Sequence, residues 1–145
     1  MAQAEFEEIL KVDAEKLYRV ITQYDLYPQF VEGCQSARVD RISPQQAKVT
    51  YHVNVLSQDV HYILSHQESM DHSRVEWTLL ESNFFKKNVG SWDLKSLGPG
   101  KTQVKYSLDV EFKVPIPSFV LNRLVKGSLP GMVRSFEKQA LIFRD

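Results

Sequence analysis

The hydrophobic pattern of this 145-residue chain switches between a helical period and a period of two, and the resulting order of elements limits the folds open to it. One helix-like stretch lies near the start of the chain, a period of two covers residues 35–114, and a helical period returns after that. A single helix that follows a long sheet has to bury its apolar face on that sheet. The order therefore predicts one α+β domain over residues 1–145, in which a sheet wraps around a long C-terminal helix.

The segment before the sheet predicts one strand and two short helices. Residues 3–12 alternate between apolar and charged side chains, as a strand does. Asp13 then stands at the N-cap position of a helix. The apolar side chains of this helix share one face: Leu17, Val20, Ile21 and Tyr24. Pro28 ends or bends the helix, so residues 26–31 predict a short second helix or turn.

Four segments of the period-two region place apolar side chains on one face and polar side chains on the other. Such alternation indicates antiparallel strands with one buried and one exposed face. The buried faces are predicted to hold Val49, Tyr51, Val53 and Val55; Val60, Tyr62, Leu64 and His66; Val75, Trp77 and Leu79; and Val104, Tyr106, Leu108, Val110, Phe112 and Val114. Turn residues separate these segments, so consecutive strands are expected to pair as hairpins in a curved antiparallel sheet of six to seven strands.

The C-terminal helix is expected to be interrupted. Its apolar positions lie at helical spacing: Leu121, Leu124, Val125, Leu129, Met132, Val133, Phe136, Ala140 and Phe143. Gly127, Pro130 and Gly131 fall within this run, and both residue types disfavour a continuous helix. We expect a kink or a new helix start there, with Ser128 as a candidate cap for the second half.

The overall composition argues against several classes of function. Lys and Arg together number 18, as do Asp and Glu, so no net charge of the whole chain attracts it to DNA or to anionic lipid, although a local basic face stays open. Cys34 is the single cysteine, so no internal disulfide can form. The N-terminus lacks the pattern of a signal peptide, and no apolar run reaches the roughly 20 residues of a membrane span. A cytoplasmic protein that does not bind DNA is expected.

Two segments also resemble a known family. YDLYPQFVEGC at residues 24–34 carries an aromatic residue, a Tyr-Pro pair and a small residue before the second strand, and GMVRSFEKQA at residues 131–140 carries Met-Val and Phe-Glu pairs. With Trp92 and YSLDVEFKVP at residues 106–115, they resemble the polyketide cyclase/dehydrase and START-like superfamily, also called SRPBCC. The similarity points to its branch of coenzyme-Q-binding proteins and ribosome-association toxins. It implies the helix-grip fold, with a hydrophobic cavity between the sheet and the closing helix.

The aromatic residues on the buried strand faces have two alternative roles. They can pack a dry core against the last helix, or they can line a pocket in which hydroxyl and indole N–H groups serve as polar contacts. The family resemblance favours the pocket, which Met132 and Phe136 would close from the helix side. The candidate ligand-binding residues are therefore Tyr51, Val53, Tyr62, Leu64, His66, Trp77, Trp92, Tyr106, Leu108, Met132 and Phe136.

The four histidines do not form a pattern typical of metal ligands. His52 lies on the exposed face of its strand, His61 lies on the face opposite Tyr62, and His72 falls in a turn, whereas only His66 shares the buried face. No metal, no cofactor and no catalytic residue is therefore predicted. At a strand end, His66 is a candidate for orienting a polar group of a ligand or for acid–base chemistry.

Two groups of residues expected at the surface are candidates for contact with a macromolecular partner. Residues 84–87 (FFKK) could contact a membrane or a protein at the cavity rim, or one Phe could pack inward with the lysines in solvent, which is the favoured reading. Arg123, Lys126, Arg134 and Lys138 could form a basic stripe that meets ribosomal RNA, or an ordinary solvated helix face. No aromatic residues alternate with this stripe to stack on bases.

Three functions follow from these patterns. The preferred one is binding or transport of a hydrophobic small molecule, such as an isoprenoid quinone, a lipid or a polyketide-like compound, through burial of apolar surface. The second is an enzyme of the polyketide cyclase or aromatase type, with His66 or Tyr62 as acid or base. The third is an interaction protein that binds the ribosome, as the toxin-like branch implies.

Overall fold

A computed structural model of the chain describes residues 2–55 and 57–142, and an antiparallel sheet of seven strands forms its body. The strands are β1 (Ala2–Leu10), β2 (Cys34–Ser43), β3 (Gln46–Val55), β4 (Gln58–Glu68), β5 (Arg74–Ser82), β6 (Phe85–Gly98) and β7 (Lys101–Phe112). They lie side by side in the order β1-β7-β6-β5-β4-β3-β2. Hairpins connect every neighbouring pair from β2 to β7, as expected, and β1 pairs with β7.

The helical segments lie before β2 and after β7. They are α1 (Ala14–Thr22), a 3₁₀ helix (Tyr24–Gln29), α2 (Ser118–Asn122), a π-helical turn (Arg123–Gly127) and α3 (Leu129–Ile142). α1 and the 3₁₀ helix carry the chain from β1, at one edge of the sheet, to β2 at the other edge. α3 contacts α1 and β1. Within the described ranges, no helix has the length and apolar content that a bilayer span requires.

Asp13 is the N-cap residue of α1, as the sequence predicts, but its side chain binds a turn of the sheet and does not cap the helix. The Asp13 carbonyl accepts the N–H of Leu17 at 3.0 Å, which makes Asp13 the N-cap residue. Its carboxylate makes no cap and instead accepts the N–H of Gly100 at 2.5 Å. Gly100 has a φ of +70°, which glycine adopts without a Cβ clash. Asp13 therefore ties α1 to the turn between β6 and β7.

The predicted buried faces of β3, β4, β5 and β7 are confirmed except at Val114. The inward side chains of these strands are buried or partly buried, and most of them belong to one core cluster. β7 ends at Phe112, however, and Val114 is 47% exposed. β6 begins at Phe85, which pairs with Phe112, so residue 114 has no neighbouring strand to bond. Pro115 then lacks the N–H that a continued ladder needs.

The C-terminal helical run is interrupted, which confirms the prediction. α3 restarts at Leu129, and the N–H of Met132 donates to the carbonyl of Ser128 at 3.1 Å. Pro130 falls in the first turn of α3, where a missing N–H removes no intrahelical hydrogen bond. The buried face of α3 consists of Leu129, Val133, Phe136 and Ala140. Phe143 and the side chain of Leu124 lie outside the described part of the chain.

Candidate ligand-binding cavity

A cavity of about 280 Å³ lies between the inner face of the sheet and α3. All eleven side chains predicted as ligand contacts line it, from Tyr51 on β3 to Phe136 on α3. They meet there because residues two apart on a strand point to the same face, and the sheet curves around α3. The wall also includes Glu32 and Asn54, whose side chains are exposed to solvent. These two residues mark the mouth of the cavity.

Seven aromatic side chains form a closed ring around the cavity, which we call the aromatic belt. Each ring centroid lies 4.9–6.1 Å from the next. The belt runs through Tyr27, Tyr51, His66, Trp77, Tyr106, Trp92 and Phe136, and returns to Tyr27. Aromatic rings at these separations attract one another, so the belt gives the cavity a stiff wall.

A hydrogen-bonded pair, Tyr51 and His66, lies within the belt. The Tyr51 hydroxyl is 2.9 Å from Nε2 of His66, and each side chain is buried. Nδ1 of His66 has no hydrogen-bond partner among the described residues. Burial, with a smaller contribution from the positive charge of Arg41, lowers the pKa of His66 to about 3. The imidazole is therefore neutral at pH 7.

Tyr24 supports the ring of His66 from outside the cavity. The two rings stack with centroids 4.2 Å apart. The Tyr24 hydroxyl donates to Oε2 of Glu68 at 2.6 Å, and Arg41 binds the same carboxylate with two N–H groups, at 3.0 and 3.1 Å. A carboxylate held by a bidentate arginine is a well-defined acceptor. The Arg41–Glu68 pair thus fixes Tyr24, and Tyr24 fixes the plane of His66.

Two further tyrosines offer hydroxyl groups to the cavity. Tyr62 and Tyr106 both line it, and neither hydroxyl has a hydrogen-bond partner in the described ranges. Burial raises the pKa of both hydroxyls well above the ordinary value, so both stay protonated at neutral pH. A protonated hydroxyl can donate to a carbonyl or ether oxygen. The cavity wall therefore carries two neutral donors that are available to a guest.

The position of Trp77 depends on a glycine. Its indole Nε1 donates to Oδ1 of Asn88 at 3.0 Å, and Asn88 is buried. A Cβ placed on Gly90 would overlap the indole ring and crowd the carbonyl of Ser107. The absence of a side chain at Gly90 therefore gives the indole its space. This relationship is not visible in the sequence, because the two residues lie on different strands.

Among the aromatic residues of the wall, the strand pattern does not predict Tyr27, Phe84 and Phe85. Tyr27 comes from the 3₁₀ helix, where its hydroxyl donates to the carbonyl of Ile21 at 2.5 Å. Phe84 and Phe85 both pack inward and touch the ring of Phe112. In the sequence, Tyr27 stands out only through the Tyr-Pro pair at residues 27 and 28. That pair supports the family resemblance and does not indicate that Tyr27 lines a cavity.

The FFKK segment does not present an aromatic surface to a partner. The sequence favours one inward Phe, whereas Phe84 is 4% exposed and Phe85 packs against the core. Lys87 forms an ion pair with Asp109 at 2.8 Å, and Lys86 is exposed. The prediction of one inward Phe is thus wrong in number, because the turn before β6 directs both rings toward the cavity.

The remaining histidines lie outside the cavity. His52 and His61 face each other across β3 and β4, with ring centroids 6.0 Å apart. Nδ1 of His72 lies 2.8 Å from a carboxylate oxygen of Glu15. Among the described residues, no three His, Cys, Asp or Glu side chains are grouped as metal ligands would be.

A family model and two curated relatives match this chain over most of its length. Residues 10–137 match the family model described as Polyketide cyclase / dehydrase and lipid transport. The ribosome association toxin RatA of Escherichia coli K12 is 24% identical over 140 residues, which cover 97% of this chain and 87% of that protein. A persistence and stress-resistance toxin, PasT, of another Escherichia coli strain shows the same identity and coverage.

Solved structures confirm the fold. A START superfamily protein from Mycobacterium smegmatis has a TM-score of 0.84 and 19% identity, with 96% of this chain and 97% of that chain covered. The Zhui aromatase/cyclase from Streptomyces sp. R1128 has a TM-score of 0.85 and 12% identity, with coverages of 97% and 93%. The predicted α+β helix-grip architecture is thus confirmed. With a family model matched over residues 10–137, the chain belongs to the polyketide cyclase/dehydrase and lipid transport family and has its START-like fold.

Proposed function

We propose that the chain acts as one START-like domain that binds and carries an uncharged hydrophobic small molecule in the cavity between the sheet and α3. The aromatic belt around a cavity of about 280 Å³ is the observation that carries the proposal. Enclosure by aromatic side chains with a few polar atoms is typical of small-molecule sites. The candidate ligand classes are an isoprenoid quinone, a lipid or a polyketide-like compound.

The charge state of the wall supports an uncharged ligand. His66 is neutral because its pKa is about 3, and the tyrosine hydroxyls are neutral because burial raises their pKa values. Glu32, the acidic wall residue, is exposed at the mouth. A charged group drawn into the belt would lose its hydration without meeting an opposite charge, which is costly. A ketone, quinone or ether oxygen would instead accept a hydrogen bond from Tyr62 or Tyr106.

The size of the cavity limits what can be enclosed. About 280 Å³ is near the lower end of ligand pockets, which span roughly 300–1,000 Å³. A complete isoprenoid or long acyl chain is larger than this space. We therefore propose that a ring or head group enters the belt, while a tail leaves through the mouth near Glu32 and Asn54.

Native mass spectrometry of the full chain, purified without detergent, tests the proposal. We expect an adduct that organic solvent extracts and that N-phenyl-1-naphthylamine, a neutral fluorescent probe, displaces. Phe136→Trp fills the cavity from α3 and should weaken probe binding, whereas Met70→Ser alters an 83% exposed side chain outside the wall and serves as control. Absence of both adduct and probe binding in the wild-type protein would refute a ligand cavity.

An enzyme of the aromatase/cyclase type is the second candidate, favoured by the convergence of Tyr51 and His66 inside the cavity. The low pKa of His66 argues against this candidate, because it makes the imidazole a weak base. A general base works best with a pKa near the operating pH, and that of His66 is about 3. Cyclisation of a poly-β-ketone substrate that His66→Phe abolishes, without loss of probe binding, would support the enzyme over the carrier.

Ribosome association is the third candidate, favoured by the similarity to RatA. All four residues of the predicted basic stripe are exposed, and one of them, Arg134, also donates to Glu8 at 2.6 Å. Both this proposal and the carrier place the chain in the cytoplasm. Co-sedimentation with ribosomal subunits at low salt, reduced by Arg123→Gln with Lys126→Gln, would support it. Unchanged sedimentation of that variant would count against the stripe.

A further inference from the structure

We propose that residues 113–126, which link β7 to α3, form a surface that docks on an anionic lipid bilayer. Phe119 is 75% exposed and Val114 is 47% exposed, and no described side chain of α2 is buried. Large apolar side chains at this level of exposure have an unfavourable contact with water, which insertion into the acyl region of a bilayer would remove. We call residues 113–126 the docking segment.

The charge of this region complements an anionic surface. Residues 113–136 contain four basic side chains and no acidic one, although the whole chain has 18 of each sign. Two of the four are engaged, because Arg134 donates to Glu8 and the Lys113 ammonium donates to a backbone carbonyl at 2.6 Å. Arg123 and Lys126 are exposed, on the π-helical turn next to α2. Basic side chains beside exposed apolar ones are typical of segments that lie at an anionic membrane interface.

The docking segment leaves and rejoins the wall of the cavity. Phe112, the residue before it, and Val125, near its end, both line the cavity. Docking would therefore hold the cavity close to the lipid. The exposed apolar residues lie outside the cavity wall, so docking can be tested independently of what the cavity holds.

The exposed residues favour lipid over RNA. RNA-binding surfaces combine basic groups with aromatic rings on which bases stack. In the docking segment one aromatic residue, Phe119, stands among aliphatic neighbours such as Val114 and Val120, which cannot stack on a base. Aliphatic side chains gain free energy when they enter the acyl region of a bilayer.

Sedimentation of the full chain with phosphatidylcholine vesicles, with and without phosphatidylserine, tests the proposal. We expect binding to the phosphatidylserine vesicles that weakens as salt is added. Phe119→Ser should lower partitioning by about tenfold, since a buried Phe side chain contributes about that factor. Arg123→Gln with Lys126→Gln should lower it about fivefold for each charge removed.

Matched controls separate docking from general effects. Met70→Ser removes an exposed apolar side chain elsewhere, and Lys95→Gln with Lys101→Gln removes two exposed charges elsewhere. Both controls should bind vesicles as the wild-type protein does. Failure of the wild-type protein to bind phosphatidylserine vesicles would overturn the proposal, as would Phe119→Ser binding at full strength. Ribosome binding lost in Arg123→Gln with Lys126→Gln, without vesicle binding, would assign the surface to RNA instead. Binding of N-phenyl-1-naphthylamine to the same variants reports the cavity separately.

Discussion

The hydroxyl of Tyr51 is 2.9 Å from Nε2 of His66, and both side chains are only 4% exposed. The other ring nitrogen, Nδ1, has no partner in the described part of the chain. A neutral imidazole carries one N–H donor and one acceptor nitrogen. Tyr51 therefore satisfies one of the two polar atoms of a buried ring, and the hydrogen bonding of His66 among the described residues rests on this contact.

Tyr51→Phe should destabilise the protein through this hydrogen bond. Its loss leaves both nitrogens of His66 unsatisfied in a buried site, which costs about 1–3 kcal/mol of unfolding free energy. Tyr62→Phe is the matched control, because its hydroxyl has no partner among the described residues, and its effect should stay within about 0.5 kcal/mol. Urea unfolding measures both variants. Equal stabilities would show that the Tyr51–His66 bond contributes nothing.

Acid should destabilise the protein partly through His66. In the unfolded chain its pKa is 6.5, whereas in the folded protein it is about 3. Between these values the unfolded state binds a proton that the folded state does not, so stability is full above pH 6.5 and falls as the pH drops toward 3. From pH 7 to pH 5 the loss due to His66 should be about 2 kcal/mol.

His66→Phe isolates this contribution. The variant keeps the other acid-sensitive groups, including Asp71 and Asp109, whose pKa values hydrogen bonds hold below the ordinary range. Urea unfolding at pH 7 and pH 5 should therefore show a smaller loss in the variant than in the wild-type protein. The same loss in both proteins would mean that His66 does not carry a depressed pKa.

The sequence predicts the inward faces of the sheet well because burial on one face leaves a period of two. Tyr51 and Val53 on β3, and Tyr106 and Leu108 on β7, line the cavity as their alternation indicates. The open space itself was implied by the family resemblance, since a strand pattern looks the same whether the facing side chains meet or leave a gap. The volume of the cavity depends on how the side chains of all its walls pack together. No single segment of the sequence carries that information.

β6 shows why the pattern fails locally. Asn88 is 7% exposed and Val89 is 37% exposed, so the polar residue points inward and the apolar residue points outward. Trp77 on the neighbouring strand explains the inversion, because its indole donates to Asn88 and occupies the space over Gly90. Contacts between neighbouring strands therefore determine which residues of β6 point inward. The sequence of β6 alone does not predict these contacts, because they depend on the register of the strands.

Gly90→Ala should disturb the belt through Trp77. The added methyl group overlaps the indole, so the ring must move and its bond to Asn88 is lost. Overpacking of this kind costs about 1–3 kcal/mol. Urea unfolding measures the cost, and near-ultraviolet circular dichroism should show the changed indole environment.

Gly131→Ala is the control for this substitution. A Cβ at Gly131 meets no atom within 4 Å, and the residue lies in α3, so alanine should raise stability by about 0.5–1 kcal/mol. If Gly90→Ala were as stable as the wild-type protein and kept its near-ultraviolet spectrum, the indole would not depend on the missing side chain.

The tyrosine hydroxyls should discriminate ketones from hydrocarbons of the same shape. Fluorenone and fluorene are both flat and neutral, but only fluorenone has a carbonyl oxygen that can accept a hydrogen bond. Tyr62 and Tyr106 carry protonated hydroxyls without partners among the described residues. Replacing both by Phe should weaken fluorenone binding by about two- to tenfold per hydrogen bond lost and leave fluorene binding unchanged. Displacement of N-phenyl-1-naphthylamine measures both affinities. Equal weakening of both ligands would show that the hydroxyls shape the wall without recognising an oxygen, because a general change in packing does not distinguish the two compounds.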